Sequence, residues 1–203
     1  AVEMDTVLRN DPSLLAMFAA GNGGGSNKII APAISKNVMT VGSSGTGHGA
    51  GMNTLSSFSS RGPTYDGRYG IDVLAQGAVT YSALSSYSCY VIGMSGTSMA
   101  TPAVAGAAAL TVQYFEDSDF WASHCNSQYS NCGAFTPSGS LLKTVLIHSG
   151  ESIQGTFPNS NQGFGRVQLD NALIYDGITD ADMDLFVQDV SLSASGSKTI
   201  KVQ

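Results

Sequence analysis

The chain has 203 residues, 42% of them hydrophobic and 12% charged, and carries a formal net charge of −6. That length and apolar share allow a sizeable buried core and exclude a disordered tail, and the acidic balance leaves no basic patch to meet a phosphate backbone, which argues against a nucleic-acid partner. No apolar run approaches the roughly 20 residues needed to cross a bilayer, so no membrane partner is expected within this segment.

Taken in order, Val2, Met4, Val7 and Leu8 outline a short amphipathic helix that stops before Asp11-Pro12. Leu14 to Ala20 is a continuous apolar run closed by Gly21-Asn22-Gly23-Gly24-Gly25, the pattern of a strand buried on both faces of a parallel sheet. On local grounds Asn22 is a turn residue, because asparagine tolerates left-handed backbone. Asn37 to Gly42 is a β-branched strand candidate, followed by a glycine-rich surface loop, Ser43 to Asn53, in which His48 reads as solvated. Ser86 to Ile92 supplies a strand ending at Gly93. From Met99 to Phe115 the chain is alanine and valine with Gly106, a central helix whose neighbours leave no room for bulk, with Pro102 placed in its first turn.

Glu116 to Gly139 reads as an irregular polar insertion whose Trp121 and Tyr129 cover the core. Ser138 to Ser149 has helical spacing with a serine cap, and His148 stands at its end, where a cation is favoured. Gly163 and Gly165 do not make a dinucleotide loop, since no strand of proper length precedes them and no third glycine follows. Asp184 to Val190 and Lys198 to Val202 read as two strands joined by Ser193 to Ser197. Of the three cysteines, Cys125 and Cys132 flank a short polar loop suited to a disulfide, which favours an oxidising compartment. Cys89, before an apolar strand, is expected to be buried and inert or paired with a cysteine outside this segment. His124 and these cysteines do not form a zinc-ligand pattern.

The chemistry concentrates at Val91-Ile92-Gly93-Met94-Ser95-Gly96-Thr97-Ser98-Met99-Ala100-Thr101-Pro102. It places the Ser98 hydroxyl at a helix N-terminus, where the dipole and unpaired N–H groups stabilise an anion forming beside it. A serine before a helix is, by itself, most often an N-cap. The longer phrase Gly96-Thr97-Ser98-Met99-Ala100-Thr101-Pro102 with Val104-Ala105-Gly106 resembles the nucleophile motif of the subtilisin-like serine peptidases. Further segments resemble the same family in order: Ala19-Ala20-Gly21-Asn22, Pro32-Ala33 with Val38 to Gly42, Phe58-Ser59-Ser60-Arg61-Gly62, Asp72-Val73-Leu74-Ala75-Gln76-Gly77 with Gln76 where the family carries proline, and Gly163-Phe164-Gly165-Arg166-Val167 with a terminal helix after it. Arg61 and Asp72, within these segments, are expected to form a structural ion pair or a cap.

The resemblance implies a three-layer α/β subtilisin-like fold with a mostly parallel sheet over residues 1–178, the C-terminal part of the peptidase domain, and the start of an appended β-sandwich over residues 179–203. It implies an endopeptidase working through an acyl-enzyme on Ser98, with the Asn22 carboxamide and the Ser98 N–H in the oxyanion hole. Ala19, Ala20 and Gly21 would wall the pocket for the side chain preceding the cut. A polypeptide substrate, a pro-segment and a secreted or lumenal setting belong to the same expectation. No cofactor is required, and although calcium is a common stabiliser in the family, no dense carboxylate loop marks a site.

In this family the triad runs aspartate, histidine, serine along the chain. Ser98 is therefore last, and nothing between Ala1 and Asn22 resembles the other two. The segment opens on Ala1-Val2-Glu3 without an initiator methionine and reads as an internal piece, inactive alone, with both partners upstream. His48, His124 and His148 stand in the wrong place or context to serve as the base. Two other readings remain: a pseudopeptidase that keeps the scaffold for binding or regulation, and an α/β-hydrolase esterase. The second is disfavoured because Gly96-Thr97-Ser98-Met99-Ala100 lacks the second glycine of a Gly-x-Ser-x-Gly elbow.

Overall fold

The computed structural model describes residues 1–47, 51–85, 89–124 and 133–175, together with positions 185, 187, 189, 192, 193 and 195–197. In chain order the elements are α1 (Val2–Asn10), β1 (Met17–Ala19), β2 (Met39–Ser44), β3 (Val73–Gln76), β4 (Thr80–Ala83), β5 (Val91–Met94), α2 (Thr97–Glu116), α3 (Ser118–His124), α4 (Gly139–His148), β6 (Gly150–Glu151), β7 (Arg166–Val167) and a 3-10 turn, Leu169–Asn171.

Five strands form one sheet in the order β1-β2-β3-β7-β6. The first three pairings are parallel and β6 runs antiparallel to β7. Every residue of β2 is buried, as its run of small and apolar side chains requires of an inner parallel strand. On one face, Met39, Val41, Val73 and Ala75 pack against Ala100, Val104 and Ala108 of α2 and Leu146 of α4. The three α2 residues repeat every four positions, so their short side chains put one stripe of the helix directly on the strands. On the opposite face, Ala20, Ile71 and Leu74 meet Ile29 and Ala33 from the connection between β1 and β2. β4 and β5 form a separate antiparallel hairpin with Thr80 opposite Met94.

Several expectations are met. The first helix ends at Asn10 before Asp11-Pro12, and the mainly parallel sheet is present. Ser138 caps α4 as its position suggests: its Oγ accepts from Leu141 N–H at 3.2 Å. Replacing it, Ser138→Ala, is expected to cost about 1 kcal/mol and roughly 2–4 °C in melting temperature. An unchanged thermal melt would show that the cap contributes nothing.

Others are corrected. β1 is three residues long and half-buried, because among the described residues it stands at the sheet edge with β2 as its one neighbour. Pro102 lies in the second turn of α2, since the helix begins at Thr97. Residues 118–124 are helical, with Trp121 stacked on Phe115 at 6.0 Å between ring centroids. After Val167 the expected terminal helix is a single 3-10 turn among the described residues. Cys89 is exposed rather than buried. Asp72 pairs with Lys143 at 3.2 Å and not with Arg61, whose Nε is buried without a hydrogen-bond partner among the described residues. In the loop after Arg61, hydrogen bonds from Arg68 and Thr64 hold the Asp66 carboxyl at about 2, below its usual 3.8. His48, Cys125, Tyr129, Cys132, the second strand of the expected β-sandwich, all of its first strand except positions 185, 187 and 189, and the first residues of the strand expected from Ser86 fall on positions outside the described residues.

Candidate active site

The parallel strand β1 delivers the chain to Gly21, whose φ of 104° is backbone that favours glycine, and the turn it makes points Asn22 toward the start of α2. Gly96 caps α2, and a Cβ there would lie 3.2 Å from Asn22 Nδ2 and 3.6 Å from Met99 Sδ. A glycine at 96 therefore lets the carboxamide lie against the backbone of the helix start.

Three hydrogen bonds lock this junction. Thr97 N–H donates to Asn22 Oδ1 at 2.9 Å, Thr97 Oγ1–H donates to the same oxygen at 3.1 Å, and Gly21 N–H donates to Thr97 Oγ1 at 3.1 Å. A backbone N–H can only donate, so the atom facing it must be the carboxamide oxygen. That choice leaves Asn22 Nδ2 as a donor with no internal acceptor among the described residues. Thr97 is fully buried, whereas Asn22 and Ser98 are exposed. Two polar side chains that are 76 positions apart in sequence thus open onto the same helix start.

Ser98 is the second residue of α2 and is not its cap. Its hydroxyl has no hydrogen-bond partner among the described residues, and its N–H is one of the unpaired donors of a helix N-terminus. No acidic side chain sits in the first turn to neutralise the helix dipole. Pro102, four residues on, has no N–H to return to the Ser98 carbonyl. The Ser98 hydroxyl, its backbone N–H and the Asn22 carboxamide therefore lie at one helix start whose dipole no acidic side chain neutralises, a setting of positive potential that favours an anion.

The other expected site residues fall as follows. Ala19 ends β1 half-buried, and Gly21 is part-exposed. Ala20 is 2% exposed, packed with Ile71 and Leu74, so its side chain belongs to the core. His124 ends α3, the helix that follows the C-terminus of α2, the opposite end of α2 from Ser98, and it stacks on Phe120 at 4.1 Å. His148 is exposed at the C-terminus of α4. Neither bonds to Ser98. Among the described residues no three His, Cys, Asp or Glu side chains gather as metal ligands, and no helix is long and apolar enough to cross a membrane. Thr97, which orients Asn22, was not singled out from the sequence. The adjacent Gly96-Thr97-Ser98 was visible, but its partner lies in a distant turn.

The model of the subtilase family matches residues 3–165. Serine protease AprX of Bacillus subtilis is 41% identical over 120 residues, covering 51% of this chain and 27% of its own length. The serine protease/ABC transporter B family protein tagD of Dictyostelium discoideum is 34% identical over 123 residues, covering 54% and 6%. Among solved structures, the prenylagaramide maturation protease PagA aligns with a TM-score of 0.60 at 21% identity, covering 84% of this chain and 53% of its own. The self-cleaved protease domain of PatA aligns at 0.59 and 25% identity, covering 82% and 51%. The chain thus spans about half the length of these structures and a smaller share of the curated relatives.

Proposed function

Since this chain belongs to the subtilase family, whose members are serine proteases, we propose that in the intact protein it supplies the nucleophile and oxyanion hole of a serine endopeptidase. Ser98 Oγ attacks the scissile carbonyl of a polypeptide, and the carbonyl oxygen, now negative, is held by Asn22 Nδ2–H and Ser98 N–H. Thr97 keeps Asn22 turned so that nitrogen, not oxygen, faces the substrate. Collapse of the tetrahedral species expels the amine, and water then releases the acyl group from Ser98. This chemistry needs no cofactor. The observation that carries the reading is the forced orientation of the Asn22 carboxamide beside Ser98.

The hydroxyl needs a base to take its proton and a carboxylate to orient that base. The family's chain order puts both before the serine, so they come from a part of the protein N-terminal to these residues. Two features support docking of such a part: among the described residues no strand pairs with the outer edge of β1, and the outer face of α2 exposes Pro102, Ala103, Gly106 and Leu110. Residues 1–178 are then the C-terminal part of a peptidase domain and residues 179–203 begin an appended β-sandwich. Ala19, Ala20 and Gly21 form one wall of the pocket for the side chain before the cut. A removable pro-segment and a secreted or lumenal setting complete the reading.

The test is hydrolysis of unfolded casein by the intact protein. It is expected to be abolished by a serine-directed fluorophosphonate, and the 203-residue chain alone is expected to be at least about 10⁴-fold slower to acylate for lack of a base. An intact protein that binds casein without cleaving it would instead be a binding module.

A further inference from the structure

Asn22 is followed by Gly23, and the pair is the one Asn-Gly step in the sequence. Both residues are exposed. Gly24, next in the chain, is required by the backbone, as Gly21 is: its φ is 58°, and a Cβ on it would lie 3.0 Å from the Ser57 carbonyl oxygen. Gly23 differs. It lies outside the left-handed region, and a Cβ there would meet Ser60 Oγ at 3.5 Å and the Lys28 stem at 3.7 and 3.8 Å, which are ordinary contacts. Neither backbone angle nor space demands glycine at this position.

A missing Cβ does leave the Gly23 nitrogen free to approach the side chain before it. A peptide nitrogen becomes a nucleophile only after losing its proton, because its lone pair is otherwise shared with the carbonyl. Once water has taken that proton, the nitrogen adds to Asn22 Cγ. The Cγ–Nδ2 bond then breaks, Nδ2 leaves as ammonia with a proton returned by water, and a five-membered succinimide remains. Water opens the ring at either carbonyl, giving aspartate at 22 or an isoaspartate whose main chain runs through the former side chain. The balance is asparagine plus water to aspartate or isoaspartate plus ammonia, with nothing oxidised or reduced. Both reactants are restrained in the fold: Thr97 N–H and Oγ1–H hold Asn22 Oδ1 at 2.9 and 3.1 Å, and Gly23 N–H donates to the buried Ser60 Oγ at 3.1 Å.

We propose that Asn22-Gly23 is a self-modification site that sets the working lifetime of the protein. Ring closure and opening replace the carboxamide by a carboxylate, which accepts hydrogen bonds and donates none. The hydrogen bonds from Thr97 and to Ser60 slow the closure, and Gly23 keeps it possible. The chemical step depends on residues 22, 23 and 60 alone, whereas its effect on turnover rests on the oxyanion role proposed for Asn22.

Peptide mapping by mass spectrometry follows the step in the intact protein, held in warm, mildly alkaline buffer and carrying Ser98→Ala so that it does not digest itself. The peptide with residues 22 and 23 is expected to gain the mass difference between a hydroxyl and an amino group, with isoaspartate among the products, faster than the peptides with Asn27-Lys28 and Asn37-Val38. Adding Gly23→Ala is expected to slow the step about 5- to 30-fold, the penalty a Cβ brings in backbone conformations that glycine visits freely. Ser60→Ala, which releases the Gly23 N–H, is expected to quicken it about 2- to 10-fold, the worth of one hydrogen bond. In the protein with Ser98 intact, turnover per uncleaved molecule should fall in step with the modified fraction, and Gly23→Ala should prolong it by the same factor. Modification at 22 no faster than at 27 and 37, a Gly23→Ala rate equal to that with glycine, or a Ser60→Ala rate no higher than that with serine would overturn the proposal and leave the oxyanion role of Asn22 standing. Full modification with undiminished turnover would overturn the lifetime and the oxyanion role together.

Discussion

Ser98→Ala is expected to lower kcat for peptide hydrolysis by about 10⁴ to 10⁶, the range reached when the nucleophile of a serine peptidase is deleted while its oxyanion hole remains. The side chain is exposed and unbonded, so the same change should leave stability within about 0.5 kcal/mol. Steady-state kinetics alongside a thermal melt separate the two effects. A large fall in melting temperature would make Ser98 a structural residue. Retained turnover would place the nucleophile elsewhere.

Asn22→Ala is expected to reduce kcat about 10²- to 10³-fold, roughly 2.7–4 kcal/mol, the measured cost of removing one oxyanion donor in an enzyme of this family. KM should move little, because the bond forms in the transition state. This residue also serves the fold: its oxygen is the acceptor for the Thr97 N–H that opens α2. Alanine therefore removes a helix-terminal hydrogen bond as well, at about 0.5–2 kcal/mol of stability. Asn22→Asp separates the roles. It keeps an acceptor for Thr97 but replaces the donor with a negative charge, so kcat should fall at least as far while most of the stability is retained. If Asn22→Asp kept full activity, the carboxamide would have no part in stabilising the oxyanion.

What the sequence made legible was local. The Ser138 cap, the alanine-rich α2 and the inner strands follow from periodicity and capping over a few residues, and the ordered motifs pointed to the family, with Ser98 and Asn22 as its candidate site residues. What it hid was contact between distant residues. Asp72 and Arg61 share one stretch of chain and invited pairing, yet the aspartate turns to Lys143, 71 positions away (143 − 72), on a helix packed over the same sheet. Thr97 orients Asn22 across 75 positions, a relation no local pattern encodes. β1 looked doubly buried because its apolar run is long, but burial depends on a neighbour strand that the described sheet does not place beside it. The β4–β5 hairpin was missed in half: Thr80–Ala83 is polar and exposed, and becomes a strand only by pairing with Val91–Met94.

The central claim is that one oxygen, negative for an instant, is shared by the Asn22 carboxamide and the Ser98 amide. A crystal structure of the intact protein inhibited by a peptidyl phosphonate measures this directly. The account predicts phosphorus bonded to Ser98 Oγ, with one phosphoryl oxygen about 2.7–3.1 Å from both Asn22 Nδ2 and Ser98 N. Phosphorus on another residue, or a phosphoryl oxygen turned away from both nitrogens, would contradict it.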